Sequence, residues 1–213
     1  MRLNKIVLSL AALFALAAQA DIVRYTDRAA YDAATGSNTL IDFEAQGNGS
    51  AAYYGSALTV GDVTFTENAA RLFVLSAGFY GDAFTSQYLN NNSGASQVGI
   101  QFTAPVYGFA LDLAEIYSWG NGSLQETFTF AGESVTVDLA GFQTNNVPVG
   151  FVGFTSTTAF SSIAINDPSH ALAIDNFAFT SNAVAAKLPE PASVALVGLA
   201  LLGCGVARKR RAG

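Results

Sequence analysis

The chain has 213 residues, of which 51% are hydrophobic and only 12% charged, and its net charge is −6. The acidic balance removes the electrostatic basis for binding nucleic acid, and the apolar content excludes a disordered polar chain. One cysteine and one histidine exclude an intramolecular disulfide framework, a cysteine-based zinc cluster and a multi-histidine metal site.

Residues 1–20 begin with Arg2 and Lys5, continue as an apolar run from Ile6 to Ala17, and end in Ala18-Gln19-Ala20. A basic start, a short apolar core and small residues before the cut define a secretory signal peptide. The expectation is export, cleavage by signal peptidase and a mature chain that begins at Asp21. Between residues 21 and 186 there are three cations (Arg24, Arg28 and Arg71) and fifteen carboxylates. The exported part is therefore far more acidic than the whole chain, which disfavours direct binding of anionic polymers.

A single helix is predicted near the start, from Asp27 to Ala34, with Thr26 as its cap and Tyr31 turned inward. Beyond it the pattern to residue 180 alternates with period two, the signature of half-buried strands. Val98, Ile100 and Phe102 alternate with Gln97, Gly99 and Gln101. Tyr107, Phe109, Leu111 and Leu113 follow Pro105, then Phe128 and Phe130 share a face with Glu126, and Val135, Val137, Ile163 and Ile165 mark further strands. Turn clusters such as Gly47-Asn48-Gly49-Ser50 and Asn90-Asn91-Asn92-Ser93-Gly94 separate these runs. About ten strands without long helices between them predict an all-β antiparallel sandwich or jelly roll over residues 21–180. Most of the sixteen Phe belong to its core. Ile174 and Phe177 both read as inward although they are three apart, so a bulge is expected at Asp175-Asn176.

Three short stretches carry a resemblance: Phe151-Val152-Gly153-Phe154, Ile163-Ala164-Ile165 and Ile174-Asp175-Asn176-Phe177, with Ile41-Asp42-Phe43-Glu44 earlier. They resemble strands of bacterial secreted jelly-roll domains, and the resemblance implies a lectin-like or galactose-binding-like sandwich. In such domains a structural Ca²⁺ often ties the first strand to the last. The resemblance thus implies a calcium site on Glu44 and Asp175, with Asp42 as a further ligand. The alternative is that these carboxylates accept backbone N–H groups at strand ends. Sugar binding has its own candidates: Trp119, the only tryptophan, beside Tyr117, and the pair Tyr53-Tyr54, all in or next to Gly- or Asn-rich segments. A loop can present such a ring to solvent, or fold it back over the core. No nucleophile elbow or phosphate loop is present, and His170 sits in a turn-like Asp-Pro-Ser-His segment. The expectation is a non-catalytic protein. A glycan-active hydrolase or lyase and a self-associating structural protein are the alternatives.

Residues 181–187 form a short Ala-rich linker. The end of the chain then combines Pro189-Glu190-Pro191, a charge-free run from Ser193 to Ala207, and Arg208-Lys209-Arg210-Arg211. The run is short for a bilayer span, and the four cations would hold this end in the cytoplasm. Motif, apolar run and basic cluster, in this order at the C-terminus, resemble the PEP-CTERM sorting signal over residues 188–213. The resemblance implies a transient inner-membrane anchor processed by an exosortase in a Gram-negative, exopolysaccharide-producing cell. It also implies delivery to the envelope or biofilm matrix, where exopolysaccharide or another glycan is the expected partner. The same motif is sometimes labelled an ice-binding-protein C-terminal motif, but no regular Thr-x-Thr face stands out in the sequence.

Overall fold

A computed structural model describes residues 20–79, 84–91, 97–116, 125–138, 150–166 and 171–184. The signal peptide, Tyr117, Trp119, His170, Pro189, Glu190, Pro191 and the cluster Arg208, Lys209, Arg210 and Arg211 lie outside these residues.

Among the described residues twelve strands form one connected antiparallel sheet. They are β1 (Ile22–Tyr25), β2 (Thr39–Ile41), β3 (Ala51–Gly55), β4 (Ala57–Val60), β5 (Val63–Glu67) and β6 (Leu72–Leu75). The second half of the chain adds β7 (Tyr88–Asn90), β8 (Gln97–Ile116), β9 (Gln125–Phe130), β10 (Glu133–Asp138), β11 (Gly150–Asn166) and β12 (Ala171–Thr180). Two of them, β8 and β11, are long enough to take part in two layers. In the front layer the start of β8 pairs with β5 and with the end of β11, and the order is β4-β5-β8-β11-β9-β10. In the back layer the end of β8 pairs with the start of β11 and with β12, while β1 adds to β11. On the far edge of β12 lie β2 and β7, and β6 and β3 follow β7.

The passage between layers is visible in the side-chain phase. Val98, Ile100, Phe102 and Val106 are buried on even positions of β8, whereas Phe109, Leu111 and Leu113 are buried on odd ones. The register of β11 against β8 slips over the same stretch, between Thr155 and Ser162. A bulge changes which face a strand presents, so both strands keep an apolar face inward as they turn the corner.

The layers meet through aromatic rings. From the front layer Phe65 packs on Phe177 at 5.4 Å, Phe128 on Phe154 at 5.2 Å and Phe130 edge-on to Phe109 at 5.0 Å. Such offset and edge-to-face pairs contribute beyond the area they bury. The bulge expected at Asp175-Asn176 is present: the β12–β8 register slips between Asp175 and Ala178, Asn176 has φ +48°, and Ile174 and Phe177 are both buried.

Two expectations need correction. The helix α1 spans Arg28–Thr35, and its cap is Asp27, whose carboxylate accepts the Ala30 N–H at 2.9 Å; Thr26 has no such role. A carboxylate is a stronger acceptor than a hydroxyl, which explains why the start moves by one residue. Ile41-Asp42-Phe43-Glu44 is not all strand, because β2 ends at Ile41. Phe43 is buried with φ +58°, and the chain turns there so that its ring can meet Phe65 at 5.3 Å.

The outer face of the back layer is covered. Tyr31 of α1 is fully buried against Ala110 and Ala178, as the helical pattern predicts. Phe84 and Tyr88 close over Ala114, Ala171 and Ala173. Among the described residues the outer face of the front layer carries no comparable apolar cluster.

Candidate ligand-binding face and acidic cluster

On the front layer the outward positions are Thr59 of β4, Thr64 and Thr66 of β5, Gln97, Gly99 and Gln101 of β8, and their counterparts on β11, β9 and β10. Their inward neighbours Val63, Phe65, Val98, Ile100, Ile163, Ile165, Phe128 and Phe130 fill the core. The pleat of a strand sends alternate side chains to opposite faces, so burial of this apolar set dictates an outer face of hydroxyls and amides.

The register aligns this face in rows. Thr66 is paired with Gly99, Gly99 with Ala164, and Ala164 with Thr129. In the next row Thr64, Gln101 and Ser162 are partners. Gly99 and Ala164 make the low middle of a groove of about 570 Å³. Thr66 and Thr129 flank the floor, while Ala131, Gly132, Thr158 and Ala159 line one end. Among the described residues no charged side chain lines the groove. Cross-strand hydroxyl pairs lie on either side, Thr59 with Thr64 at 2.9 Å and Thr129 with Ser134 at 2.9 Å. The face does hold two Thr-x-Thr pairs, Thr64/Thr66 and Thr127/Thr129, but β8 and β11 separate them with Gln, Gly, Ser and Ala.

A second polar constellation lies on the outer side of the back layer. Asp112 of β8 and Asp175 of β12 are direct cross-strand partners. Arg28 donates to Asp112 at 2.9 Å and to the Asn176 carbonyl at 3.0 Å, and its guanidinium lies 4.8 Å from the Phe151 ring centroid. The Asn176 amide donates to the other Asp112 oxygen at 2.8 Å. Asp175 is fully buried. It accepts from the Ser86 hydroxyl and, at 2.6 Å, from the Asn176 N–H. Burial holds its carboxyl up at about 6; the two hydrogen bonds oppose that rise, and the charges of Asp112 and Glu44 add to it.

The sugar and calcium candidates fall as follows. Tyr53 is exposed, with its hydroxyl donating to the Ala70 carbonyl at 2.9 Å and its ring 5.1 Å from Phe73. Tyr54 packs against the core and donates to the Gln46 carbonyl, so it does not form one platform with Tyr53: adjacent strand residues point to opposite faces. Glu44 is exposed and clamps Gln87, accepting its backbone N–H at 2.8 Å and its side-chain amide at 3.2 Å. Asp42 accepts the Glu44 N–H at 3.2 Å. Among the described residues no group of three or more His, Cys, Asp or Glu is placed to hold a metal ion. Glu44 and Asp175 accept hydrogen bonds from the chain itself, as does one oxygen of Asp42.

The groove residues were not singled out in the sequence, although the uncharged outward set Gln97, Gly99 and Gln101 was visible there. Arg28, Ser86, Gln87 and Asn176 escaped for another reason. Their roles arise only from contacts between elements far apart in the chain.

Residues 188–211 match the PEP-CTERM protein-sorting motif, so the chain carries the signal of a protein exported and processed at the membrane by exosortase. No curated protein matches the chain. Among solved structures, a family 6 carbohydrate-binding module superposes with 12% identity and a TM-score of 0.34, covering 55% of this chain and 87% of that one. The catalytic domain of a GH87 α-1,3-glucanase in complex with nigerose gives 14% identity and a TM-score of 0.35, covering 72% of this chain and 30% of the other. The chain thus spans less than a third of the glucanase domain. Both superpositions are partial, and the fold assignment rests on the strand pairing described above.

Proposed function

We propose that this chain is an exported, exosortase-sorted protein of a Gram-negative envelope or biofilm matrix, and that its front-layer groove binds extracellular glycan. In this reading residues 1–20 direct export and are removed, and Ser193–Ala207 anchors the chain in the inner membrane with Arg208–Arg211 inside. Exosortase then acts at Pro189-Glu190-Pro191 and releases a lectin-like jelly-roll domain to the outside. The sorting motif supports the delivery.

The observation that carries the binding is the open groove of neutral hydroxyls and amides, with Gly99 in the middle of a strand. A glycine there weakens the strand by roughly 0.5–1 kcal/mol relative to alanine. Its missing side chain leaves room for the Thr66 hydroxyl, which a β-carbon would meet at 2.5 Å, and keeps the floor of the groove low.

The test is made in the host. Culture matrix is separated by sedimentation, and the protein is followed by immunoblot. The wild type is expected in the polysaccharide pellet and to leave it on glycanase digestion, while Gln97→Ala/Gln101→Ala/Thr129→Val moves to the soluble fraction. Equal partition of the two proteins refutes binding through the groove. For sorting, Glu190→Ala is expected to accumulate as a larger, membrane-held form; unchanged size and release refute that step.

A further inference from the structure

The dimensions and chemistry of the groove narrow the class of glycan. Its floor is two residues wide, Gly99 on β8 and Ala164 on β11, which are register partners. A β-carbon at position 99 would lie 2.5 Å from Thr66 Oγ1, so even one methyl group there cannot be added without moving the wall. Along the strands the trough runs from Gln97 to Gln101, about 14 Å at the usual rise of roughly 3.4 Å per residue. That span suits a short stretch of sugar chain better than a single terminal sugar.

Thr66, Gln97, Gln101, Thr129, Thr158 and Ser162 supply the polar lining. Hydroxyls and amides each both donate and accept, as sugar hydroxyls do. Recognition of carboxylate, sulfate or phosphate relies on cationic donors, and among the described residues none lines the groove. Three cations against fifteen carboxylates over residues 21–186 would also repel a polyanion. A second copy of the chain would bring the same charge. Among the described residues the rings that line the groove, Phe130 and Phe160, are buried in the core.

We infer that the groove takes a segment of a neutral sugar chain laid along β8 and β11, held by neutral hydrogen bonds. This rests on the glycan-binding reading above and specifies its substrate class.

The test is affinity electrophoresis of the full-length protein in mild detergent. The gels contain neutral polysaccharides (dextran, mixed-linkage β-glucan, galactomannan) or anionic ones (alginate, polygalacturonate), at low and at moderate salt. Retardation by at least one neutral polymer, insensitive to salt and absent with the anionic ones, is the expected result. Gln101→Ala should weaken it about three- to tenfold, the size of one neutral hydrogen bond, with unchanged melting. Gly99→Val should weaken it further. Retardation by anionic polymers alone overturns the neutral class and leaves glycan binding standing. No retardation by any polymer overturns both. Sedimentation in which Gln101→Ala alters self-association instead of retardation assigns the face to a second copy and also overturns the inference.

Discussion

Asp175 is the sharpest test of the packing. Its carboxyl sits in a bulge, fully buried, and burial lifts it from 3.8 to about 6. A difference of that size between folded and unfolded states is worth about 3 kcal/mol. Below about pH 4 both states hold the proton, and the contribution of Asp175 to stability is fully present. It is lost as the pH rises through 6, where the folded protein must keep a desolvated charge next to Asp112. Asp175→Asn removes the charge; its carbonyl can still accept the Asn176 N–H, while its NH2 group takes the place of the other oxygen and donates to the Ser86 hydroxyl. The variant should match the wild type near pH 4 and exceed it by up to about 3 kcal/mol at pH 7.5. Weakening of the two hydrogen bonds will reduce that gain, because a neutral acceptor is poorer than a charged one. The assay is urea denaturation followed by far-ultraviolet circular dichroism, from pH 4 to pH 8. The quantity read is the difference in stability between the two proteins, which removes the other titrating groups to first order. A difference that does not change with pH refutes the placement of this carboxylate.

Other variants address neighbouring contacts. The Tyr31 hydroxyl is buried and has no hydrogen-bond partner among the described residues, and burial pushes its pKa up. Tyr31→Phe should therefore leave stability unchanged or raise it by about 1 kcal/mol in the same denaturation assay; a clear loss would show that the hydroxyl is satisfied. Gly153 lies directly beneath that ring, and a β-carbon there would come within 2.9 Å of Tyr31 Cδ2. Gly153→Ala is expected to cost about 1–3 kcal/mol by overpacking, and a neutral result would mean that α1 is not seated on β11. Arg28→Ala removes a partly exposed ion pair, the contact to the Asn176 carbonyl and the stack on Phe151. A loss of about 1–2 kcal/mol is expected from thermal melts, shrinking at high salt only by the ion-pair share.

Parts of the fold were legible because they are local. The alternation of Gln97, Gly99 and Gln101 with Val98, Ile100 and Phe102 is a property of the pleat itself, and the structure keeps it. The three-residue spacing of Ile174 and Phe177 likewise required a bulge wherever β12 lay. Tyr31 had to face inward on any helix that started near Asp27. The tail motif was legible because sorting depends on a short linear order of residues, with no need of partners.

The sites were less legible because they are made by adjacency. Tyr53 and Tyr54 look equivalent in the sequence, yet the pleat sends one to solvent and the other to the core. Glu44 and Asp175 stand far apart in the sequence, and only the fold brings Gln87 to the one and Ser86 to the other. The sequence by itself determined export signals, strand period, an acidic surface and the position of a bulge. Only the tertiary structure decided that Gly99 lies beside Ala164 and that Asp112 faces Asp175. Pleat and helix periods follow from the backbone over a few residues. Strand neighbours follow from long-range register, which is set by burying Phe65, Phe109, Phe128, Phe154 and Phe177 in one core.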